Sequence, residues 1–356
     1  MKIRRITAIP VRLRMRRPVT LASGVVSAAD NVIARLETAD GIVGWGEAAS
    51  APTMTGETVA SMVRAIEELA PRLTDTEDAH AAMHAMPGNQ GAKAAIDIAL
   101  HDAMGKASAK PVYELLGGAK RQSVALLWTL AADDIAQARE KRAEGYRAFK
   151  IKVGIDAPEA DAERTIALCR ELQGVELICA DANQGWTVEE AIRYVRAVEG
   201  HGVAFLEQPV AAGDIDGMAR VAAVGHMAIA FDEGIHDLAD IRRHHEARAA
   251  AGGSLKAIKL GGLRGLLAGA ELCGSLGMRV NLACKIAESG IAAAALLHAA
   301  LAVPALDWAV SLTSHHLVDD TTATSLPITG GRAAAPTGAG LGIEVRERDL
   351  ERYRLT

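Results

Sequence analysis

The chain has 356 residues, half of them hydrophobic and only 3% aromatic, with 39 basic against 44 acidic side chains and a formal charge of −5. With no long run of either sign, that balance leaves no electrostatic footprint for nucleic acid. The length suits two domains, or one α/β barrel with a smaller unit attached, and the Ala-, Gly-, Val- and Leu-rich composition is that of packed helices and parallel strands rather than a disordered chain.

Near the start, Arg12, Arg14 and Arg16 alternate with Leu13 and Met15, and with Arg17 they read as a solvated strand face rather than a polyanion site. Asn31 to Ala48 alternates as two strands joined at Asp40-Gly41, a favoured hairpin dipeptide, and Thr58–Leu73 and Ala92–Lys106 are predicted helical. Residues 1–120 thus read as an α+β domain. Between 121 and 320, eight apolar runs begin near Val124, Ala148, Leu177, Val203, Ala228, Leu255, Arg279 and Leu306 and alternate with amphipathic stretches. Their spacing of about 22 to 30 residues is that of βα units, and eight is the number that closes a (β/α)8 barrel. Asp133-Asp134 is expected to open one helix and Thr187-Val-Glu-Glu190 forms a capping-box pattern, while Gly145 and Gly277 are expected to end others. Residues 321–356 are too short for a domain and are expected to pack back on the first one. No helix directly follows the glycines at Gly338-Ala-Gly-Leu-Gly342 and no βαβ unit frames them, so they read as structural rather than as a dinucleotide loop.

Cys169, Cys179, Cys273 and Cys284 contain no Cys-x-x-Cys pair, which points to buried thiols in a reducing cytoplasm rather than to disulfides or a zinc knuckle. No apolar leader is visible, and the longest apolar stretch, Gly290 to Val310, is broken by His298, Pro304 and Asp307; neither export nor membrane anchoring is expected.

The chemistry is carried by charges placed in apolar runs. In Ala148-Phe-Lys-Ile-Lys-Val153, Lys150 and Lys152 share one face of a strand and would enter the same buried space. An unpaired buried charge costs several kcal/mol or neutralises, so the pair implies carboxylates, a metal or an anionic substrate nearby. Asp181, Glu207 and Asp232 each close a short apolar run, which sets them at strand C-terminal ends, the edge where α/β active sites are built. Lys256 follows, and positions 152, 181, 207, 232 and 256 lie at intervals of 29, 26, 25 and 24 residues.

With Lys150-Ile-Lys152, Asp181-Ala-Asn183, Glu207-Gln-Pro209, Asp232-Glu233 and Lys256 ahead of Gly261-Gly262, nearly the whole chain resembles the enolase superfamily. Within it the chain is similar to the muconate lactonizing enzyme subgroup, which also holds dipeptide epimerases, N-succinylamino acid racemases, o-succinylbenzoate synthases and an amino-acid dehydratase. The resemblance implies a TIM-like barrel with an N-terminal α+β capping domain completed by the C-terminal tail, and a homo-oligomer. It implies one Mg²⁺ per active site on Asp181, Glu207 and Asp232, a donor set of hard oxygens that suits this ion and not zinc. Superfamily sites set a Lys or His base beside Mg²⁺. Lys152 would then be the base on one face of a small carboxylate substrate and Lys256 the acid/base on the other, with Lys150 restraining the pKa of Lys152. Asn183, Glu233 and Glu288 are expected to hydrogen-bond the lysines or to order the metal's surroundings. Lys259, three residues past Lys256, would face the other way on a regular strand and reads as a surface or helix-side lysine.

The chain departs from the subgroup in two places. Lys285 stands where a small or sulfur-containing residue is usual, and is expected to enter the site and bind a second anionic or polar group. Dipeptide epimerases hold the substrate ammonium with Asp-x-Asp at the eighth strand, whereas here that stretch reads Asp307-Trp308-Ala309. Loops Val19–Ser27 and Ser50–Glu57 are expected to close over the barrel mouth, with Met54 and Thr55 as contacts. The leading expectation is an isomerase that removes a proton α to a carboxylate through an enediolate and racemises or epimerises an amino-acid derivative. A muconate-type cycloisomerase or a dehydratase could use the same lysines.

Overall fold

The computed structural model describes residues 1–22, 24–76, 78–130 and 134–355. Ser23, in the first expected loop, and Asp133, an expected helix opener, lie outside the described residues.

Two long strands, β1 (Ile3–Leu21) and β2 (Gly24–Thr38), pair antiparallel from Ile3 opposite Thr38 to Leu21 opposite Gly24, and β3 (Val43–Ala49) adds to β2 beyond the Asp40-Gly41 turn. Two of the exposed arginines of β1 are paired: Arg12 grips Asp30 at 2.6 Å and Arg14 grips Asp319 at 2.8 Å. The first expected loop is in fact the tip of this hairpin. Helix α1 (Val59–Thr74) starts on a capping box from Thr58 and Ser61, a short α2 spans Ala79–His84, and α3 (Gln90–Ser108) lies against β3. The approach is so close at Gly46 that a Cβ there would sit 1.9 Å from the Ala95 carbonyl oxygen.

Eight parallel strands follow: Leu127–Leu130, Ala148–Lys152, Leu177–Asp181, Phe205–Glu207, Ala228–Phe231, Gly252–Leu255, Arg279–Ala283 and Val310–Ser311. They pair in chain order, and a parallel bridge between Leu126 and Val310 closes the circle. Helices follow the first seven strands, and strand eight leads only into the 3-10 turn Ser314–His316. Thr187 and Glu190 cap each other reciprocally, and Asp134 caps Ile135–Ala143 through the Gln137 amide.

Three strand positions differ from the sequence reading. Val124–Ala125 pairs with Arg332–Ala333 outside the barrel, and strand one begins at Leu127. Strand six ends at Leu255 rather than beginning there. Its Gly252-Gly253 start carries no apolar signal because the neighbouring strand leaves no room: a Cβ on Gly253 would lie 2.0 Å from the Phe231 ring. Strand eight is Val310–Ser311. Asp307 lies at the opposite end of the barrel, where it accepts from the Val280 amide.

Side chains alternate along each strand, so the barrel interior is layered. The floor is apolar, built from Leu127, Ala148, Cys179, Phe205, Ala230 and Trp308, with the Phe205 and Trp308 rings stacked at 4.1 Å. All four cysteines are buried and free. Among the described residues no helix is long and apolar enough to cross a membrane.

Buried carboxylates join the first 110 residues to the barrel. Glu47 accepts from Asn31, from the amide and hydroxyl of Ser289, and from the Ala292 amide, so it caps the helix Gly290–Ala302 that follows strand seven. Asp97 accepts from the Leu263 amide and caps the helix Leu263–Ser275 after strand six. The C-terminal segment returns to the same unit, with Leu341 donating to Asp102 and bridges joining Val11 to Arg354 and Pro111 to Gly340. Replacing Glu47 by Ala would strand several buried donors. Glu47→Ala is therefore expected to lower the unfolding free energy by about 2–4 kcal/mol in a urea titration, and an unchanged midpoint would contradict this role.

Candidate active site

In the parallel register Lys152 stands beside Asp181 and Asp181 beside Glu207, so three charged residues form one row across strands two, three and four. Glu207 is level with Ala230, and Asp232 lies two residues further, on the same face. Lys256 directly follows strand six with extended backbone, φ −128° and ψ 136°. Strands two and six are four apart in a ring of eight, so Lys152 and Lys256 approach from opposite sides.

All six expected metal and lysine positions line one cavity of about 250 Å³ at the C-terminal mouth. Its roof comes from the hairpin tip, through Val19, Leu21 and Val25, and from Ala51–Met54. Met54 is therefore where it was expected. Thr55 is not: its hydroxyl turns back to the Ala51 carbonyl.

The charges are paired. Lys150, 5% exposed, donates to Glu207 Oε2 at 2.6 Å and lies 3.7 Å from Asp181. Burial opposes its ammonium, but Glu207 and Asp181 more than offset this and hold it well above the usual lysine range. Lys152 donates to Asp181 Oδ2 at 2.6 Å and to Asn183 Oδ1 at 2.7 Å. Lys256 donates to Asp232, and this pair together with Glu207 outweighs burial and raises its pKa.

Lys259 corrects the strand-parity argument. It is fully buried and donates both to the Asp232 carboxylate, at 2.7 Å, and to the Asp232 carbonyl. After Lys256 the chain turns helical over Ala257–Leu260, and at helical spacing i and i+3 share a face, so both lysines meet the same aspartate.

The remaining predicted residues divide. Asn183 accepts from Lys152 and donates to Glu233 Oε1 at 3.0 Å. Glu233 faces the cavity but takes Asn183 rather than a lysine ammonium, and burial together with Asp232 and Asp181 pushes its carboxyl up to about 7. Glu288 sits behind the wall, where it accepts from the Ala49 and Lys285 amides and no ammonium. Lys285 reaches the cavity.

Sequence reasoning gave no role to Gln208, whose buried side chain accepts from the Asp232 and Gly234 amides and donates to Val210, setting the end of strand five. It also missed Ser311, Thr313 and His316, which line the cavity from strand eight onward. Shifting that strand from Leu306 to Val310 would have found the first two. The corrected eighth-strand end reads Ser311-Leu312-Thr313, with no carboxylate at either cavity-facing position.

As folded, the carboxylates are turned to lysines, and among the described residues no three His, Cys, Asp or Glu side chains converge as a cage. The donor chemistry still fits a hard divalent cation. Asp181, Glu207 and Asp232 are near enough to raise one another's proton affinity, and Glu207 Oε1 is buried without a hydrogen-bond partner. These three are the residues that would hold Mg²⁺.

Two family models cover most of the chain: the mandelate racemase/muconate lactonizing enzyme N-terminal domain over residues 3–117 and the enolase C-terminal domain-like model over residues 133–349. A chloromuconate cycloisomerase of Cupriavidus pinatubonensis is 32% identical over 338 residues, 91% of each chain. The structure of an N-succinyl Arg/Lys racemase from Bacillus cereus superposes with a TM-score of 0.93 at 28% identity, covering 100% of this chain and 99% of that one. A dipeptide epimerase from Enterococcus faecalis, complexed with Mg and the dipeptide L-Leu-L-Tyr, superposes with a TM-score of 0.89 at 28% identity over 97% and 100% of the two chains. With its barrel, its capping unit and its strand-end charges, this chain belongs to the mandelate racemase/muconate lactonizing enzyme family of the enolase superfamily.

Proposed function

We propose that the protein is a Mg²⁺-dependent isomerase that removes the proton α to a carboxylate of a small substrate and returns a proton from the opposite face, racemising or epimerising an amino-acid derivative. The observation that carries this reading is the pair Lys152 and Lys256, half the barrel apart and directed into one cavity. A single base suffices for exchange; inversion is served by two.

When bound, Mg²⁺ supplies the positive charge a carboxylate needs to take up a second negative charge as its α-proton leaves. The chain's own residues do the rest. Neutral Lys152 Nζ takes the proton, the C–H electron pair stays on the substrate as the enediolate, and the Lys256 ammonium delivers a proton to the other face. Each of these lysines must first leave its carboxylate, and in each case another lysine remains. Lys150 stays on Glu207 near Asp181, and Lys259 stays on Asp232 when Lys256 moves. Buried acid groups therefore keep a counter-cation while the acid/base lysines cycle.

A second reading, cycloisomerisation of an unsaturated diacid or loss of a β-substituent, is favoured by two observations. The chloromuconate cycloisomerase is a relative at 32% identity, and the cavity-facing positions of strand eight carry Ser311, with a free hydroxyl, and Thr313, whose hydroxyl is held by the Lys285 carbonyl, where an ammonium would need acids.

Incubation of the Mg²⁺-loaded protein in D₂O with pooled N-acyl and N-alkyl amino acids, proline derivatives, dipeptides and muconates tests both. One-unit mass gain at the α-carbon supports proton abstraction, a product lighter by water marks elimination, and a lactone seen by NMR marks cycloisomerisation. No exchange in any pool would contradict the proposal. On the substrate so found, Lys152→Ala and Lys256→Ala are each expected to lower kcat by about 10³-fold, within the range for a positioned acid or base. Chelation by EDTA is expected to abolish turnover and Mg²⁺ to restore it; activity that survives chelation would remove the metal from the account.

A further inference from the structure

Four lysines face the cavity, and three of them are spent on carboxylates: Lys150 on Glu207, Lys152 on Asp181 and Lys256 on Asp232. Lys285 is the exception. Among the described residues its ammonium forms no ion pair or hydrogen bond, although burial works against its charge. Glu288, the nearest acid in sequence, is already occupied, since its two oxygens take the Ala49 amide and the Lys285 amide.

The backbone of Lys285 is held at both ends. Its amide donates to Glu288 at 2.9 Å and its carbonyl accepts from the Thr313 hydroxyl at 2.8 Å, which presents the side chain to the cavity from the end of strand seven. On the neighbouring strand eight, level with Ala283, Ser311 is 7% exposed and its Oγ is buried without any hydrogen-bond partner while lining the same cavity. A cation with no direct ion pair, favoured only at a distance by Glu288 and Asp30, and a hydroxyl without a partner, both lining one cavity, are groups that a ligand can satisfy. Neither is adjacent to Asp181, Glu207 or Asp232 in the strand ladder, so a group bound here is distinct from the reacting carboxylate.

We infer that Lys285 and Ser311 form a subsite for a second anionic group, so that the substrate is a carboxylate bearing another carboxylate or comparable anion at its far end. This rests on the reading of the cavity as a carboxylate site, and it narrows the substrate class. A substrate with a free ammonium at that end would meet Lys285 as a like charge, and no acid on strand eight would hold it.

Calorimetric titration of the Mg²⁺-loaded protein with glutarate and adipate, against pentanoate and hexanoate of the same lengths, tests the subsite. The diacids are expected to bind at least about tenfold more tightly than their monoacid partners, the gain of a charge-assisted contact. In Lys285→Met and in Lys285→Gln that preference is expected to fall to near unity with the monoacid Kd unchanged, which a general loss of structure would not leave intact. Ser311→Ala is expected to lose part of the preference. If monoacids bind with Mg²⁺ but diacids gain nothing, or if the preference survives in both Lys285 variants, the subsite is overturned and the proton-abstraction reading stands. If neither class binds in a Mg²⁺-dependent way, both fall.

Discussion

The mouth of this barrel depends on keeping several full charges where water hardly reaches. Asp181, Glu207 and Asp232 are at most 2% exposed and Lys150, Lys256 and Lys259 at most 6%. Such groups are tolerated only as partners, since removing one member of a buried pair costs about 3–5 kcal/mol. Parallel register supplies the partnership. Because strands two to four are aligned residue by residue, Lys152, Asp181 and Glu207 at their ends fall side by side, and Lys150, two residues inside the mouth, reaches the same row. The same constraint makes the site responsive, because each carboxylate can exchange an ammonium for another cation without being left bare.

The capping unit contributes in two ways. Its hairpin tip and the Ala51–Met54 segment roof the cavity, and its buried acids Glu47 and Asp97 cap the helices after strands seven and six. Those strands carry Lys285 and Lys256, so the roof and the lysines are held by one set of contacts. Similar folds catalyse cycloisomerisation, racemisation and epimerisation, and what distinguishes them must lie in the few side chains around the mouth. In this chain Lys285, Ser311 and Thr313 stand at that mouth, a cation and two hydroxyls.

The barrel and its row of charges were legible because both follow from short periodicities. Period two puts Lys150 and Lys152 on one face, and an acid closing an apolar run marks a strand end. Period two misled where the backbone changed type: Lys259 was turned outward by strand parity, yet a helical turn after Lys256 brings it onto Asp232. Strand six was obscured by glycines whose Cβ space is taken by the Arg279 backbone at Gly252 and by the Phe231 ring at Gly253, and strand eight by an apolar run that continues below the barrel floor. Gln208 and the helix-capping acids were invisible for a different reason: they bond to backbone amides up to 245 residues away, and no local pattern encodes such a partner.

The central claim, two lysines serving opposite faces of one α-carbon, is tested most directly by following α-proton exchange in D₂O separately for each stereoisomer of the substrate in the two single-lysine variants. The account predicts complementary losses, with Lys152→Ala exchanging only the isomer whose proton faces Lys256, and Lys256→Ala only the other. Equal loss of exchange from both isomers in one variant, with the other variant unaffected, would contradict the two-face arrangement and leave a single base.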